Sequence, residues 1–256
     1  MAVKSHIVGE FVEKLYLSDE LEKRFRIYEE VVRSLGFEAV TFAFAPNVEL
    51  TGDLLAPVFL HSSPYPTGFL AQYNEEKLHT KDFTIRKITH QQLEPMDWRE
   101  HEHSNSITND EKRVIQIARS DHGIMNGISI PTMNKNIGMA GASVLSLEKD
   151  VSFNILKCEN LETLVLCTYL FHNHVFSYNK IPHQFILSLV NSLKPVEIKI
   201  LRYIASGKPF KNITYETGIS RGYASNKLDN LRARLGGINK DKLLYLLGLL
   251  NILDDV

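Results

Sequence analysis

Three residues in the C-terminal quarter, Gly218-Ile219-Ser220, constrain the fold of this chain more than any other short stretch. They separate two short helical patterns. Glycine tolerates the left-handed backbone of a sharp turn, and serine is a preferred N-cap, here placed to accept the backbone N–H of Tyr223. In the pattern that follows, Ala224, Leu228, Leu231 and Leu235 recur at i, i+4, i+7 and i+11 and form one apolar stripe. The stretch reads as a helix-turn-helix. Opposite the stripe stand Gly222, Ser225, Asn226, Asp229 and Ala233, flanked by Arg221, Lys227, Arg232 and Arg234. From this helix alone two readings of the outer face are open. Amide and small side chains between cations suit a DNA groove, amides at base edges and cations at phosphates. A helical bundle presents a similar face to water.

Charge bears on that choice. The chain as a whole is nearly neutral, with 29 Lys and Arg against 30 Asp and Glu. From residue 190 onward, however, there are 11 basic and 6 acidic residues, which leaves 18 against 24 upstream. An excess of cations confined to the segment that holds the helical pair is what contact with a polyanion requires.

Upstream, Asp19 to Gly36 reads as an amphipathic helix preceded by Ser18, with Leu21, Phe25, Tyr28, Val31 and Val32 inward. Val40 to Ala45 alternates bulky and small residues and stops at Pro46, which predicts a strand. Further strands are expected at Val58 to His61, Gly127 to Pro131 and Gly138 to Leu147, and helices at Tyr65 to Leu78, Asp110 to His122 and Val151 to Ser177. This order predicts an α/β fold, a sheet between helical layers. The segment around Pro182, where the charge balance changes sign, is the expected break.

A second stretch suggests chemistry. Tyr65, Phe69 and Tyr73 recur at four-residue steps, and Asp82, Thr84 and Trp98 follow in segments that read as irregular. Taken alone, these aromatics are as readily a core face, with Asp82 a surface turn residue.

The order of residues resembles a known family in both places. Glu197, Leu201, Gly207, Lys208, Ile213, Gly218-Ile219-Ser220 and Arg234-Leu235 follow the pattern of the LuxR-type (GerE-like) DNA-binding domain from Leu193 to the C-terminus. Tyr65-x-x-x-Phe69-x-x-x-Tyr73, Asp82, Trp98 and Gly127 follow that of the LuxR-type autoinducer-binding domain. The resemblance implies a three-layer α/β/α sensory domain with a central antiparallel sheet, residues 1–176, a linker, 177–189, and a small all-α helix-turn-helix domain, 190–256. It implies a scaffold helix at Pro209 to Thr217 and a recognition helix at Arg221 to Leu235. Ser225 and Asn226 would then read bases, Lys211, Arg221, Lys227 and Arg232 would meet phosphates, and Tyr223 would lie on the same DNA-binding face. Lys194-Pro195-Val196 departs from the family's usual Ser/Thr cap and arginine, and Asp229 replaces an expected cation.

In the sensory domain the resemblance implies a small signal ligand, an acyl-homoserine lactone or a relative of one. An amide-linked ligand brings one N–H and several carbonyls into an apolar cavity, where each unpaired polar group costs on the order of 1–3 kcal/mol. By the resemblance, Asp82 accepts the ligand N–H, Tyr65 donates to the acyl carbonyl, Tyr73 and Trp98 wall the head group, and Thr84 adds a polar contact. Phe69 stands where the family usually has a tryptophan, and phenylalanine has no donor. Phe83 replaces the usual proline, and Val144 falls near a position where some members have Ser or Thr. A non-lactone signal is therefore the alternative ligand.

Other chemistry is poorly supported. Cys158 and Cys167 imply neither a disulfide framework nor a metal site. His101-Glu102-His103 reads as a solvated loop with no third ligand, and His172 and His174 at i, i+2 do not share a helix face. No nucleophile–base motif appears, so an enzyme is not expected, nor is a cofactor or a metal. A phosphorylation-driven response regulator would need acidic residues clustered at a strand end and an early βα repeat, which the chain lacks. The charged N-terminus is unlike a signal peptide and no apolar run approaches eighteen residues, which predicts a cytoplasmic protein without membrane contact. Asn239 is expected to cap a last helix whose leucines, Leu243 to Leu253, exceed what a sixty-residue domain buries, which predicts a homodimer on palindromic double-stranded DNA. The expected function is a ligand-responsive transcription regulator; the alternative is a ligand-independent dimeric DNA-binding protein.

Overall fold

The computed structural model describes residues 2–47, 49–50, 53–54, 56–135, 137–148, 150–176, 185, 193–235 and 237–249. The chain divides into two compact units, Met1–Ala45 with Ala56–Ser177, and Pro46–Leu55 with Tyr178–Val256. The linker expected at 177–189 lies, apart from Phe185, outside the described residues.

The first unit is built on a five-stranded sheet in the order β4-β1-β7-β6-β5. Its strands are β1 (Ala39–Pro46), β4 (Val58–His61), β5 (Met96–Asp97), β6 (Asn126–Lys135) and β7 (Gly138–Ser146). The pairings β1–β4, β5–β6 and β6–β7 are antiparallel. Two short strands, β2 (Glu49–Leu50) and β3 (Asp53–Leu54), fall in the second unit and pair with each other.

Alternation along the strands divides the sheet into two faces. Phe42, Phe44, Ile128, Ile130 and Val144 are buried on one of them. That face meets three helices, α1 (Ala2–Tyr16), α2 (Leu21–Ser34) and α7 (Asp150–Val175). Tyr28 stacks on Phe171 at 4.7 Å, and Phe171 meets Phe42 edge-on at 5.1 Å. The buried hydroxyl of Tyr28 donates to Thr168 Oγ1 at 2.6 Å, because that threonine gives its own proton to Leu164 O. Such a polar atom in a core is tolerated only when paired.

All five apolar positions expected to face inward on α2 are buried. The cap differs: Glu20 occupies the N-cap position and the side chain of Ser18 caps nothing. The helix α1 was not anticipated, since its charged residues mask the periodicity of Phe11 and Leu15, which are both buried.

The opposite face carries smaller groups, among them Ala43, Ser129, Gly141 and Ser143, and faces α3 (Thr67–Glu75), α4 (Phe83–Thr89), α5 (Trp98–Glu102) and α6 (Asn109–His122). Two expectations are corrected here. Tyr65 precedes α3 rather than lying on it, so its alignment with Phe69 and Tyr73 comes from the turn before the helix. Asp82, Thr84 and Trp98 are not in irregular segments: Asp82 is the N-cap of α4, Thr84 lies in its first turn, and Trp98 opens α5. Helices of seven and five residues are too short for periodicity to announce them.

The second unit contains α8 (Pro195–Ala205), α9 (Ile213–Thr217), α10 (Arg221–Arg234) and α11 (Lys240–Leu249). The scaffold segment expected from Pro209 begins as a single 3-10 turn, Phe210–Asn212, before α9. Gly218 has φ +72, the left-handed conformation the turn demands, and Ser220 accepts the N–H of Tyr223. Ala224, Leu228, Leu231 and Leu235 are all buried. At the start of α8 Lys194 occupies the N-cap position, and the side chain of Glu197 reaches back to accept its N–H at 2.8 Å, the half of a capping box that needs no Ser or Thr. The other partner of Glu197 is Arg234 Nη2, also at 2.8 Å, so one buried carboxylate ties the ends of α8 and α10 together.

Asn239 caps α11 by accepting the N–H of Lys242. Leu243, Leu246 and Leu247 are buried within this chain. The expected surplus of uncovered leucine is thus reduced to the half-buried Leu244 among residues whose side chains are described; Leu250 and Leu253 lie outside the described residues.

Candidate functional site

Asp82 is the centre of the site. As the N-cap of α4 it accepts the backbone N–H and the hydroxyl of Thr84 on Oδ1, at 2.7 and 2.8 Å. Its Oδ2 accepts the phenol of Tyr73 at 2.7 Å. A carboxylate offers about four acceptor positions, and these three donors leave one. Burial raises the Asp82 pKa above the ordinary carboxylate range, against the lowering effect of the bonds from Thr84 and Tyr73. The phenols are held neutral: burial, and then the charge on Asp82, pushes Tyr65 well up, and Tyr73 likewise.

The aromatics form one wall. Tyr65, Phe69 and Tyr73 belong to a single buried cluster with Leu70 and Leu78, against which Phe59 and Trp98 pack. Phe69 meets Tyr73 edge-on at 5.7 Å and His122 at 5.5 Å. His122 is itself hydrogen-bonded through Nε2 to Gln72 Oε1 at 2.8 Å. Trp98 donates its indole N–H to Ser129 Oγ at 2.8 Å, and Ser129 is bonded in turn to Ser143 Oγ at 2.8 Å.

An apolar cavity of about 60 Å³ lies between the sheet and α4. Ala43, Ala45 and Gly141 form its floor, Ile85 and Ile88 its helical wall, and Thr84, Ser129 and Ser143 supply hydroxyls. Of the six residues named from sequence, Thr84 lines this cavity; Tyr65, Phe69, Tyr73 and Trp98 belong to the neighbouring aromatic cluster, and Asp82 joins the two through its bonds to Thr84 and Tyr73.

Ser129 and Ser143 were missed by sequence reasoning. Val144, near which some family members have Ser or Thr, is fully buried on the opposite face, and Ser143 pairs directly with Ser129 across β6 and β7. A signal existed: Gly127, already singled out, shares its strand face with Ser129 by the two-residue period.

His101 also departs from expectation. It is buried rather than solvated, stacked on Phe83 at 4.0 Å with Nε2 3.3 Å from Glu111. His172 is buried as well, with Nδ1 bonded to Thr132 Oγ1. No group of three or more His, Cys, Asp or Glu able to hold a metal occurs among the described residues. Among those residues no helix is long and apolar enough to cross a membrane.

In the second unit, Arg221, Tyr223, Ser225 and Asn226 are exposed on α10, and Lys211 is exposed ahead of α9. Lys227 lies over the Tyr223 ring at 5.1 Å. Arg232 is engaged inside the unit, donating to Ile238 O at 2.8 Å and to Asp229 at 3.2 Å. The acidic residue at 229 thus has a local partner three residues along its helix.

The first unit is thus a sheet layered between helices, with an aspartate-centred polar group beside an apolar cavity, an architecture that suits a small-molecule-binding domain. Residues 20–175 match the family model described as the autoinducer binding domain. The chain belongs to that family. No curated protein matches it significantly. Among solved structures it resembles SdiA of Escherichia coli, with TM-score 0.53 and 14% identity over 98% of each chain. It also resembles SdiA in complex with octanoyl-rac-glycerol, with TM-score 0.54 and 16% identity over 97% of this chain and 96% of the other. A third likeness is to CepR2 of Burkholderia cenocepacia, described as an N-acylhomoserine lactone dependent LuxR family transcription factor, with TM-score 0.50 and 13% identity over 66% of this chain and 96% of that one.

Proposed function

We propose that this LuxR-type chain is a cytoplasmic, ligand-responsive DNA-binding transcription regulator, with a sensory domain at 1–176, a linker at 177–189 and a helix-turn-helix domain at 190–256. The observation that carries the ligand reading is the unused acceptor position on Asp82, next to hydroxyls that open onto an apolar cavity. An amide N–H fits that acceptor, Tyr65 serves an acyl carbonyl, and an apolar chain takes the cavity. Asp82 itself is buried, so a pairing on its carboxylate is worth more there than at a surface.

The ligand is an acyl-homoserine lactone or a related signal. Phe69 favours the related signal, because a lactone carbonyl would find no indole donor at that position. SdiA, similar in fold, is described with octanoyl-rac-glycerol bound, which is an acyl chain on a head group without a lactone ring. Solvent extraction of the purified protein followed by mass spectrometry tests the reading directly: an acylated small molecule is expected, and a protein that yields none and binds none of either class would be the ligand-independent alternative.

For DNA, the support is the turn at Gly218, the buried stripe of α10 and the exposed polar and basic groups opposite it. Placed in a major groove, α10 would direct Ser225 and Asn226 to bases and leave Lys211, Arg221, Tyr223 and Lys227 near the backbone, with Arg232 released from Asp229 to a phosphate. A homodimer would present two such helices to a palindromic site. Coupling between the domains means that ligand and DNA affinities change each other by the same factor.

A further inference from the structure

Behind the cavity, three helices meet on one carboxylate. Glu111, in the first turn of α6, has a side chain only 3% exposed. Its Oε1 accepts Arg86 Nε of α4 at 2.5 Å, and its Oε2 lies 3.3 Å from His101 Nε2 of α5. The same Oε2 accepts the N–H of Thr108 at 2.9 Å, while Thr108 Oγ1 accepts the N–H of Glu111, so the carboxylate is pinned at the start of its own helix. Such reciprocal capping gives α6 a defined first turn.

The helices held there line the site. In α4, Thr84, Ile85 and Ile88 face the cavity. In α5, Trp98 stands three residues before His101 and reaches Ser129. Helices this short have no independent stability, so contacts set their positions. Asn134 holds the end of α4 through Ile88 O, and Lys157 holds Asp97 and Glu100 of α5 from the side of α7. Glu111 is the polar group that joins both helices to α6, beside the apolar packing of Ile115 on Phe83, Ile88 and Trp98 and the Arg119–Glu102 pair between α6 and α5. Phe83 stacked on His101 closes the link between α4 and α5.

We propose that Glu111, with Arg86 and His101, is a positioning group for the ligand cavity, setting the places of Thr84 on α4 and Trp98 on α5 relative to the sheet. This rests on the ligand reading above. Burial works to raise the Glu111 pKa, but the bonds from Arg86, Thr108 and His101 outweigh it and bring it to about 2, so the group is an anion at any ordinary pH.

The test uses the full chain and its single tryptophan, Trp98, as reporter. Glu111→Gln keeps volume and an acceptor for the helix cap but removes the charge that Arg86 and His101 face. Arg86, 43% exposed, can turn to water, so the variant should fold. His101→Phe is the second variant: it keeps a ring on Phe83 and deletes the bond. Two probes are titrated, decanoyl-homoserine lactone and octanoylglycerol, and affinity for whichever the wild-type chain binds should fall about tenfold in each variant, the low end of what supporting groups behind a site contribute. Trp98 emission should shift at unchanged folded fraction, as measured by circular dichroism. Unchanged emission and affinity in both variants overturn the proposal, as does an affinity loss that only follows the folded fraction. Should the wild-type chain bind no acylated probe, the ligand reading fails, and the emission shift in Glu111→Gln by itself decides the positioning role.

Discussion

The indole of Trp98 occupies the place where a side chain at Gly127 would stand: a Cβ at that position would lie 2.9 Å from Cδ2 and 3.0 Å from Cε2 of the ring. β6 is bare at this point so that a ring from α5 can lie on its backbone and reach Ser129. A small residue at 127 and a large one at 98 are therefore one structural decision.

Gly127→Ala should displace that ring. The added methyl meets the body of the indole rather than a flexible tip, so overpacking of about 1–3 kcal/mol is expected. Trp98 fluorescence and a thermal melt check it; an unchanged emission maximum would mean that the ring can shift without leaving Ser129.

Asp82→Ala should weaken ligand binding by about 1.5–3 kcal/mol, the range for a bond to a charged group, which is roughly ten- to a hundredfold. Tyr73 and the N–H and hydroxyl of Thr84 lose their acceptor in the same variant, so Asp82→Asn, which keeps an acceptor for the helix cap, and Tyr73→Phe are the controls that separate the ligand bond from the internal ones. Phe69→Trp supplies the missing donor and should improve the response to simple acyl-homoserine lactones if the natural head group differs from theirs. Isothermal titration with lactones and acylglycerols measures both effects.

Acid should loosen the first unit in two steps. Burial, and secondarily Lys135, lowers the His172 pKa from 6.5 to about 4. The unfolded chain therefore takes up this proton first, and stability falls as pH drops from about 6.5 to 4, by at most about 3 kcal/mol. Glu111, held at about 2 against 4.5 when free, adds a loss below pH 4.5. His101 and His174, both lowered by burial, add to the upper step, so urea midpoints at stepped pH should show both losses and His172→Gln should reduce the upper step while leaving the lower.

On DNA, Asn226→Ala should cost about 1–3 kcal/mol at a specific site and relax the preference there. Lys227→Ala should weaken all sequences alike and reduce the salt slope by about one. Binding isotherms on specific and random duplexes over a salt series distinguish them, and equal losses on both duplexes for the two variants would remove Asn226 from the readers.

Residues 218 to 235 and the inward face of α2 were legible in the sequence because they depend on neighbours within a few positions: a glycine turn, a serine cap and a period of 3.6 are local physics. The same holds for β1, whose alternation ends at Pro46; Tyr65, Tyr73, Asp82 and Trp98 were grouped only through the family resemblance, because their spacing by itself reads equally well as a core face. Only the tertiary structure paired Ser129 with Ser143, because a one-residue change of register would have turned Val144 to the site instead. Only it buried His101 and gathered Arg86 to the same carboxylate, since those contacts join residues ten and twenty-five positions apart on helices too short to leave a periodic trace. Local order follows from torsional preference and side-chain spacing, which a sequence states outright. The site depends on distances between elements, and those exist only once the sheet and its helices have packed.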